Sequence, residues 1–492
     1  MQPINMPSPA QDLWLPGQRP RRPHKPQRNE GSVVIASSSA TTPEVMSPAQ
    51  VRIHRCLCLL IVSIIFEGIG RKLAPQSVGI LIFFLKDFLT FVLLWLCLKT
   101  KPNAETARLL SVMRVLSCLL LPCIIVTAVN DPLLAVFGTK QYVLFAAVAV
   151  AMCTAYLPNH RREFFSLFRG ITLSLFITTL VAVAQNRLPS SSWLNLSVAG
   201  DDLSNFSAGG YLRVSSTFSF VGQYCWYLNA LCYSLPVFFF FNHNSRFSAS
   251  KIMALVLIGL FVVGTFVTGS RTAVIGNAGI LSASGCLLVV CGGFRAVSKM
   301  VVPAVIAVVL LAVTESLYPE FFAAYQARVE GTTESSHSVE VEKRIAGSLL
   351  DWTQGTVEAP PSVLGYGLGV MSNGSEKFSA YAAQWRNGGF WTEADQATTF
   401  FEGGWYLILI WYGFRIWVIF HSLHLVLNLR SLDFRLIACF AWGYIVIIGV
   451  TGTLALQPPM AVWWWLAVGV IICLGNFDRQ ELKPNRNAGS HL

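Results

Sequence analysis

An all-α, polytopic membrane fold is what this sequence predicts, on three observations. Hydrophobic residues make up 54% of the chain and charged residues only 12%, where soluble domains hold about 25% charged. Apolar runs near twenty residues recur along the chain, and such runs cross a bilayer as helices that satisfy their own backbone hydrogen bonds. One long hydrophilic stretch, Tyr318 to Thr398, interrupts them with ten of the 25 acidic residues against five basic ones. The expected architecture is about 12 transmembrane helices with one large, partly helical extracytoplasmic loop. Cytosolic and secreted globular classes are excluded.

Residues 1–50 are rich in Pro, Ser, Gln and Arg and lack apolar periodicity, so they read as a disordered tail. Its first apolar run comes too late for a signal peptide. The cluster Arg19, Arg21, Arg22, Lys25 and Arg28 is expected to hold the N-terminus in the cytoplasm. That topogenic role is preferred to nucleic-acid binding.

The candidate spans are 56–70, 78–98, 109–129, 141–157, 166–185, 218–241, 251–268, 272–292, 297–317, 399–421, 434–453 and 457–475. With the N-terminus inside, every second connection is cytoplasmic and is expected to be basic. Those connections hold Lys99, Lys101 and Arg108; Arg161, Arg162 and Arg169; Arg246 and Lys251; Arg295 and Lys299; Arg430 and Arg435. The tail 477–492 adds Arg479, Lys483 and Arg486. All agree with cytoplasmic termini and an outward-facing loop 318–398 between the helices of 51–317 and those of 399–476.

The exceptions carry information. Outward basic residues include Arg71, Lys72, Lys140, Arg187, Arg213 and Arg271. Arg213 precedes the sixth span, and Arg271 occupies a very short turn, Thr268-Gly-Ser-Arg-Thr-Ala273. A guanidinium pinned there reads as an anion binder in preference to a snorkelling side chain. Glu67, Arg71, Lys72, Lys86 and Asp87 lie in or at the rim of the first two spans, where charges usually pair toward the bundle interior. They are expected to form an ion-pair network that fixes those helices. Arg415, in the tenth span, is expected to pair or to snorkel.

All 12 cysteines lie in or beside apolar segments, which argues for packing roles over a disulfide framework or a thiolate metal site. The loop has too many aromatic residues for an ordinary linker, and loops of such length are usually functional or disordered.

Phe66-Glu-Gly-Ile-Gly-Arg-Lys72 followed by Leu85-Lys-Asp87 resembles the N-terminal signature of a branch of the O-antigen ligase and polymerase-like superfamily of bacterial polysaccharide enzymes. The outward arginine before a mid-chain span, the Ser-Arg turn, Gly365-Tyr-Gly-Leu-Gly369 and Glu402-Gly-Gly404 extend the likeness over roughly residues 55–475. The resemblance implies a GT-C-like, metal-independent glycosyltransferase of the inner membrane that uses no cofactor. Its donor would be an undecaprenyl-pyrophosphate-linked glycan at the periplasmic face, and its acceptor a hydroxyl of a glycan or lipid. Arg213 and Arg271 are carried over as pyrophosphate binders. Ligases of this kind place a functional histidine in the large loop, and His337 is the histidine this loop offers. Its distance from the tenth span inclines the reading toward a polymerase.

Such a transfer needs the leaving group's charge stabilised, the acceptor hydroxyl deprotonated and the sugars held. Arginine suits the first, because its planar fork binds phosphate oxygens and keeps its proton. Glu393, Asp395 and Glu402 are candidate general bases, with solvated or helix-dipole roles as the alternative. Lys343-Arg344 reads equally as a third phosphate contact, through Arg344, or as a solvated face. Trp352, Trp385 and Trp391 are candidates for holding sugars or for an interfacial belt. Gly365–Gly369 reads as a tight turn, since no strand–helix pattern flanks it. Other readings of the whole chain are a lipid-linked sugar flippase or solute transporter, and a non-catalytic subunit of a polysaccharide export complex. Expected partners are the lipid-linked donor, the acceptor, membrane lipids and polysaccharide assembly proteins, with no nucleic acid.

Overall fold

The computed structural model describes residues 46–198, 200, 212–241, 251–330, 363–387 and 394–481. Among these the regular elements are helices. The expected N-terminal tail falls almost wholly outside this set, as do His337, Arg344, Glu393, Trp352 and Trp391.

Helix α1 (Pro48–Leu73) starts at a capping box, with Gln50 N donating to Ser47 Oγ and Ser47 N donating to Gln50 Oε1. These bonds satisfy two backbone donors that the helix itself cannot reach. α2 (Gln76–Lys99) packs back along α1 after a two-residue turn. Asn103 caps α3 (Ala104–Asn130), and Asp131 caps α4 (Pro132–Val143), which follows it directly. A single 3-10 turn joins α4 to α5 (Ala147–Ala155), so 132–155 forms one apolar helical segment. The expectation began that span at 141, because Lys140 and Gln141 interrupt its apolar run. α6 (Arg161–Arg187) and α7 (Val221–Phe240) follow, then α8 (Lys251–Val267), α9 (Arg271–Leu317) and the short α10 (Glu320–Glu330). α11 (Ala380–Asn387), α12 (Asp395–Leu427), α13 (Leu432–Thr451) and α14 (Pro458–Glu481) complete the order.

Nine of the described helices are long and apolar enough to cross a membrane, and ten are if the bent pair formed by the end of α9 and α10 counts as one span. The molecule is thus a multi-pass membrane protein. Its core is built on α14 and α7. The apolar window of α14 is 89% buried, against 22% for α2 and for α3. α7 is buried along nearly its whole length and carries Gln223, Tyr224, Tyr227, Asn229 and Tyr233. Surrounded by protein, it meets most of these polar groups with partners, the Tyr224 hydroxyl excepted among the described residues. Tyr233 donates to Trp463 O, and Asn229 bonds Asn277 at 2.7 Å.

Two glycine pairs break helices that otherwise run on. α9 departs from helical geometry at Gly293 (φ 58°, ψ −164°) and α12 at Gly404 (φ 58°, ψ −157°). Such a combination belongs almost wholly to glycine. At Gly404 the consequence is large. Arg415 binds the Asp395 carboxylate twenty positions earlier, a separation of about 30 Å on a straight helix. Residues 395–403 therefore fold back against the rest of α12, and all of them are buried.

Candidate functional site

A cavity of about 990 Å³ opens at the end of the bundle where α1 gives way to α2. Its wall draws on α1, α2, α4, the start of α7, the α8–α9 turn, the 363–387 segment and the α13–α14 connection. It runs deep, since Lys86 lies ten residues into α2, roughly 15 Å along the axis. Among the described residues, four cationic side chains line it, Arg71, Lys86, Lys140 and Arg213, against one carboxylate, Asp87.

These charges are held by specific contacts. Glu67, 2% exposed, sits behind the wall and accepts from Lys86 Nζ at 3.1 Å, Ser219 Oγ at 2.8 Å and Arg71 Nη1 at 3.4 Å. Lys86 also donates to Phe83 O and lies 3.9 Å from the Phe83 ring centre. Asp87 pairs with Lys140 Nζ at 2.8 Å, and that ammonium lies over Phe137. The buried charges are thus paired and hydrogen-bonded, which is what makes them tolerable in a low-dielectric interior. The expected network exists, but its membership differs. Asp87 reaches across to α4 instead of binding within the first two helices. Lys72 donates to Leu194 O, tying α1 to the turn after α6. Lys140 and Ser219 are members that sequence reasoning gave no role. The one available signal was a lysine at position 140 inside an otherwise apolar stretch.

Close backbone approach puts Ser219 in reach of Glu67. A Cβ on Gly68 would lie 2.0 Å from the Phe218 carbonyl carbon, so only glycine lets the chain before α7 press onto α1. Thr217 Oγ1 donates to Ile65 O, and Ile69 N donates to Thr217 O, fixing that contact. Arg213 lies on the same segment and donates to Ser270 Oγ at 3.4 Å. Arg271 begins α9, half-buried, and does not line the cavity, although its neighbours Ser270 and Thr272 do. The structure therefore brings Arg213 together with Arg71, Lys86 and Lys140, and leaves Arg271 beside them.

Residues 363–387 form one edge of the site and dock on α3 and α4. Leu368 N donates to Thr127 Oγ1 at 2.7 Å, and Ser372 Oγ to Gln141 Oε1 at 2.6 Å. The Ser379 hydroxyl, helped by the backbone N–H groups of Leu134 and Leu133, holds the Asp131 carboxyl below the usual carboxylate range. The Gly365–Gly369 turn is built for contact on three sides. All three glycines have positive φ, and a Cβ would meet Gly403 N from Gly365, Thr127 from Gly367, or Gly138 from Gly369, each within 3 Å.

Glu402 is fully buried and does not line the cavity. Its carboxylate accepts from Tyr142 OH at 2.8 Å and from Met371 N at 3.1 Å. It anchors the cavity edge from behind, with Met371 facing the space. Asp395 is sealed with Arg415 and Tyr412. Trp385 packs on Tyr366 with the rings tilted at 42°, in a small cluster with Phe401. Among the described residues, no three His, Cys, Asp or Glu side chains gather as a metal site.

The arrangement offers an anion several cationic groups in a polar pocket bordered by aromatic rings. No known family model matches the sequence, and no curated protein matches it.

Proposed function

We propose that this chain is a polysaccharide polymerase or ligase of the bacterial inner membrane. It transfers a glycan from undecaprenyl pyrophosphate to an acceptor hydroxyl at the periplasmic face. The observation that carries the reading is the cavity itself, where, among the described residues, four cations face one carboxylate. Arg71 and Arg213 supply planar guanidinium forks for phosphate oxygens, and Lys86 and Lys140 supply point charges. The exposed apolar side chains of α2, among them Leu81, Phe84 and Phe88, offer the polyprenyl tail a lipid-side surface next to the headgroup.

In the transfer, the acceptor oxygen bonds to the anomeric carbon as the bond from that carbon to the diphosphate breaks. The electron pair leaves on the diphosphate, and cations already in place stabilise the charge that develops there. The acceptor proton passes to a carboxylate, and among the described residues Asp87 is the one that lines the cavity. Arg271 acts at the rim, through the turn that carries Ser270. The finer topology that goes with this reading is about twelve spans, both termini cytoplasmic and the loop 318–398 periplasmic. The resemblance of the 66–87 and 365–404 motifs to the O-antigen ligase and polymerase-like superfamily supports the same activity.

The test is the glycan of cells carrying Arg71→Ala or Arg213→Ala at normal membrane levels of the protein. Each variant is expected to lose polymerised or ligated glycan. Wild-type glycan in the double variant would sink the reading. In a deletion strain, short unpolymerised repeats mark a polymerase, and full-length polymer left on its lipid carrier marks a ligase.

A further inference from the structure

A narrow slot lies at the other end of the bundle from the cavity, between the start of α3 and the end of α12. The two helices touch farther along, where the Tyr406 hydroxyl donates to Leu119 O at 2.8 Å. Toward the start of α3 a gap stays open between them, with α14 as its floor. Leu109 and Val112 form one side, and Trp417 and Val418 the other. Trp465, Val468 and Ile472 fall on one stripe of α14 and keep a little exposure there, while Leu466, Ala467, Val470 and Ile471 have none. Away from the mouth, water in this slot would find few polar partners. On the flank of a multi-pass membrane protein, a hydrocarbon chain is what can fill it.

The mouth, by contrast, is charged. Arg108 stands there exposed, and its one hydrogen bond to a described residue is to Glu105 Oε2 at 3.4 Å. Arg479 claims the same carboxylate at 2.8 Å. Exposed pairs of this kind hold weakly, so most of the Arg108 guanidinium fork is open to a ligand. His421 lies flat on Trp417, with ring centres 5.1 Å apart and 5° between the planes, and neither of its nitrogens bonds to a described residue. Cationic donors above an apolar slot match a phosphodiester headgroup above its acyl chain.

We infer that this slot is a site for an anionic phospholipid, with one acyl chain lying along α14 and the phosphate held by Arg108 and His421. The proposed topology puts this end of the bundle in the cytoplasm, so the lipid is one of the cytoplasmic leaflet. The site is separate from the cavity and stands whether or not the glycan reading does.

The test measures lipid retained by the purified full chain in detergent, by native mass spectrometry. The probes are dioleoyl phosphatidylglycerol and dioleoyl phosphatidylcholine, which share their chains and differ in net charge. Wild-type protein is expected to bind the phosphatidylglycerol about fivefold more tightly. Arg108→Gln is expected to remove most of that preference, and His421→Phe, which keeps the stack on Trp417, a smaller part. Arg114→Gln loses the same charge at an exposed position of α3 that does not line the slot, and is expected to keep the preference. Val112→Trp fills the slot and is expected to weaken both lipids. Equal wild-type affinity for the two lipids, or equal losses in Arg108→Gln and Arg114→Gln, would overturn the inference. So would unchanged binding in Val112→Trp. Full displacement of the lipid by equimolar sn-glycerol 3-phosphate, a headgroup without chains, would also overturn it, by reducing the site to an anion contact.

Discussion

Among the described residues, two ion-pair systems lie inside this bundle, and they differ in what covers them. Glu67 with Lys86 and Arg71, and Asp87 with Lys140, stand around a cavity that solvent and ligand can enter. Asp395 with Arg415 and Tyr412 is closed in, with both charged side chains at most 2% exposed and the Gly452 carbonyl as a further acceptor. In the sequence both systems show the same thing, isolated charges inside apolar runs. Charge inside a membrane helix marks either a functional site or a buried structural pair. Burial by neighbouring helices tells them apart: the first system stands at the cavity where a ligand is proposed to bind, and the second holds the re-entrant start of α12.

The comparison can be broken most easily at the sealed pair. Arg415→Met leaves the Asp395 carboxylate buried without its partner, a change that costs about 3–5 kcal/mol. Thermal unfolding of the detergent-purified protein is expected to drop accordingly. Adding Asp395→Leu recovers most of the loss, since replacing both members of a buried pair is often near neutral. A single variant that unfolds at the wild-type temperature would mean the pair is not sealed.

A smaller stability effect and a larger functional one are expected at the open system. Lys140→Met removes the partner of Asp87, but both side chains keep contact with the cavity, at 19% and 13% exposure. Solvent compensates the carboxylate there, so the loss is about 1–2 kcal/mol. Binding of undecaprenyl diphosphate is expected to fall by about tenfold. If stability falls as far as in Arg415→Met while binding holds, the two systems do not differ in kind.

The smallest effect marks the outer limit of the series. Arg187 and Glu320 pair at the surface, at 54% and 40% exposure. Arg187→Ala is expected to change stability by less than about 1 kcal/mol, and raised salt should erase even that. A loss as large as that of Lys140→Met would show that the α6–α10 contact bears more of the fold than its exposure suggests.

Much of the helical layout was legible. Each expected span overlaps a helix, because a run of apolar residues both favours and requires internally bonded backbone, although nine or ten of the described helices, not twelve, are long and apolar enough to cross a membrane. The limits of that reading show at α7 and at Glu402. α7 is less apolar than its neighbours because protein, not lipid, surrounds it. Glu402 looked like a base at the membrane surface because it opens an apolar run, yet the fold-back at Gly404 and the docked 365–371 turn bury it completely. Lys140 showed only as a lone lysine inside an apolar stretch, and Gln141 carried no local pattern. They matter through Asp87 and Ser372, which are 53 and 231 positions away.

The sequence by itself determined the helices, the glycine pairs at which two of them break, and the presence of costly charges inside apolar runs. Those properties are local, set by hydropathy, backbone freedom and desolvation within a few turns of chain. Which charges share a cavity and which are sealed away was decided only by tertiary structure. Pairing across α1, α2, α4 and the start of α7 depends on helices brought together from distant positions, and no spacing along the chain encodes that distance.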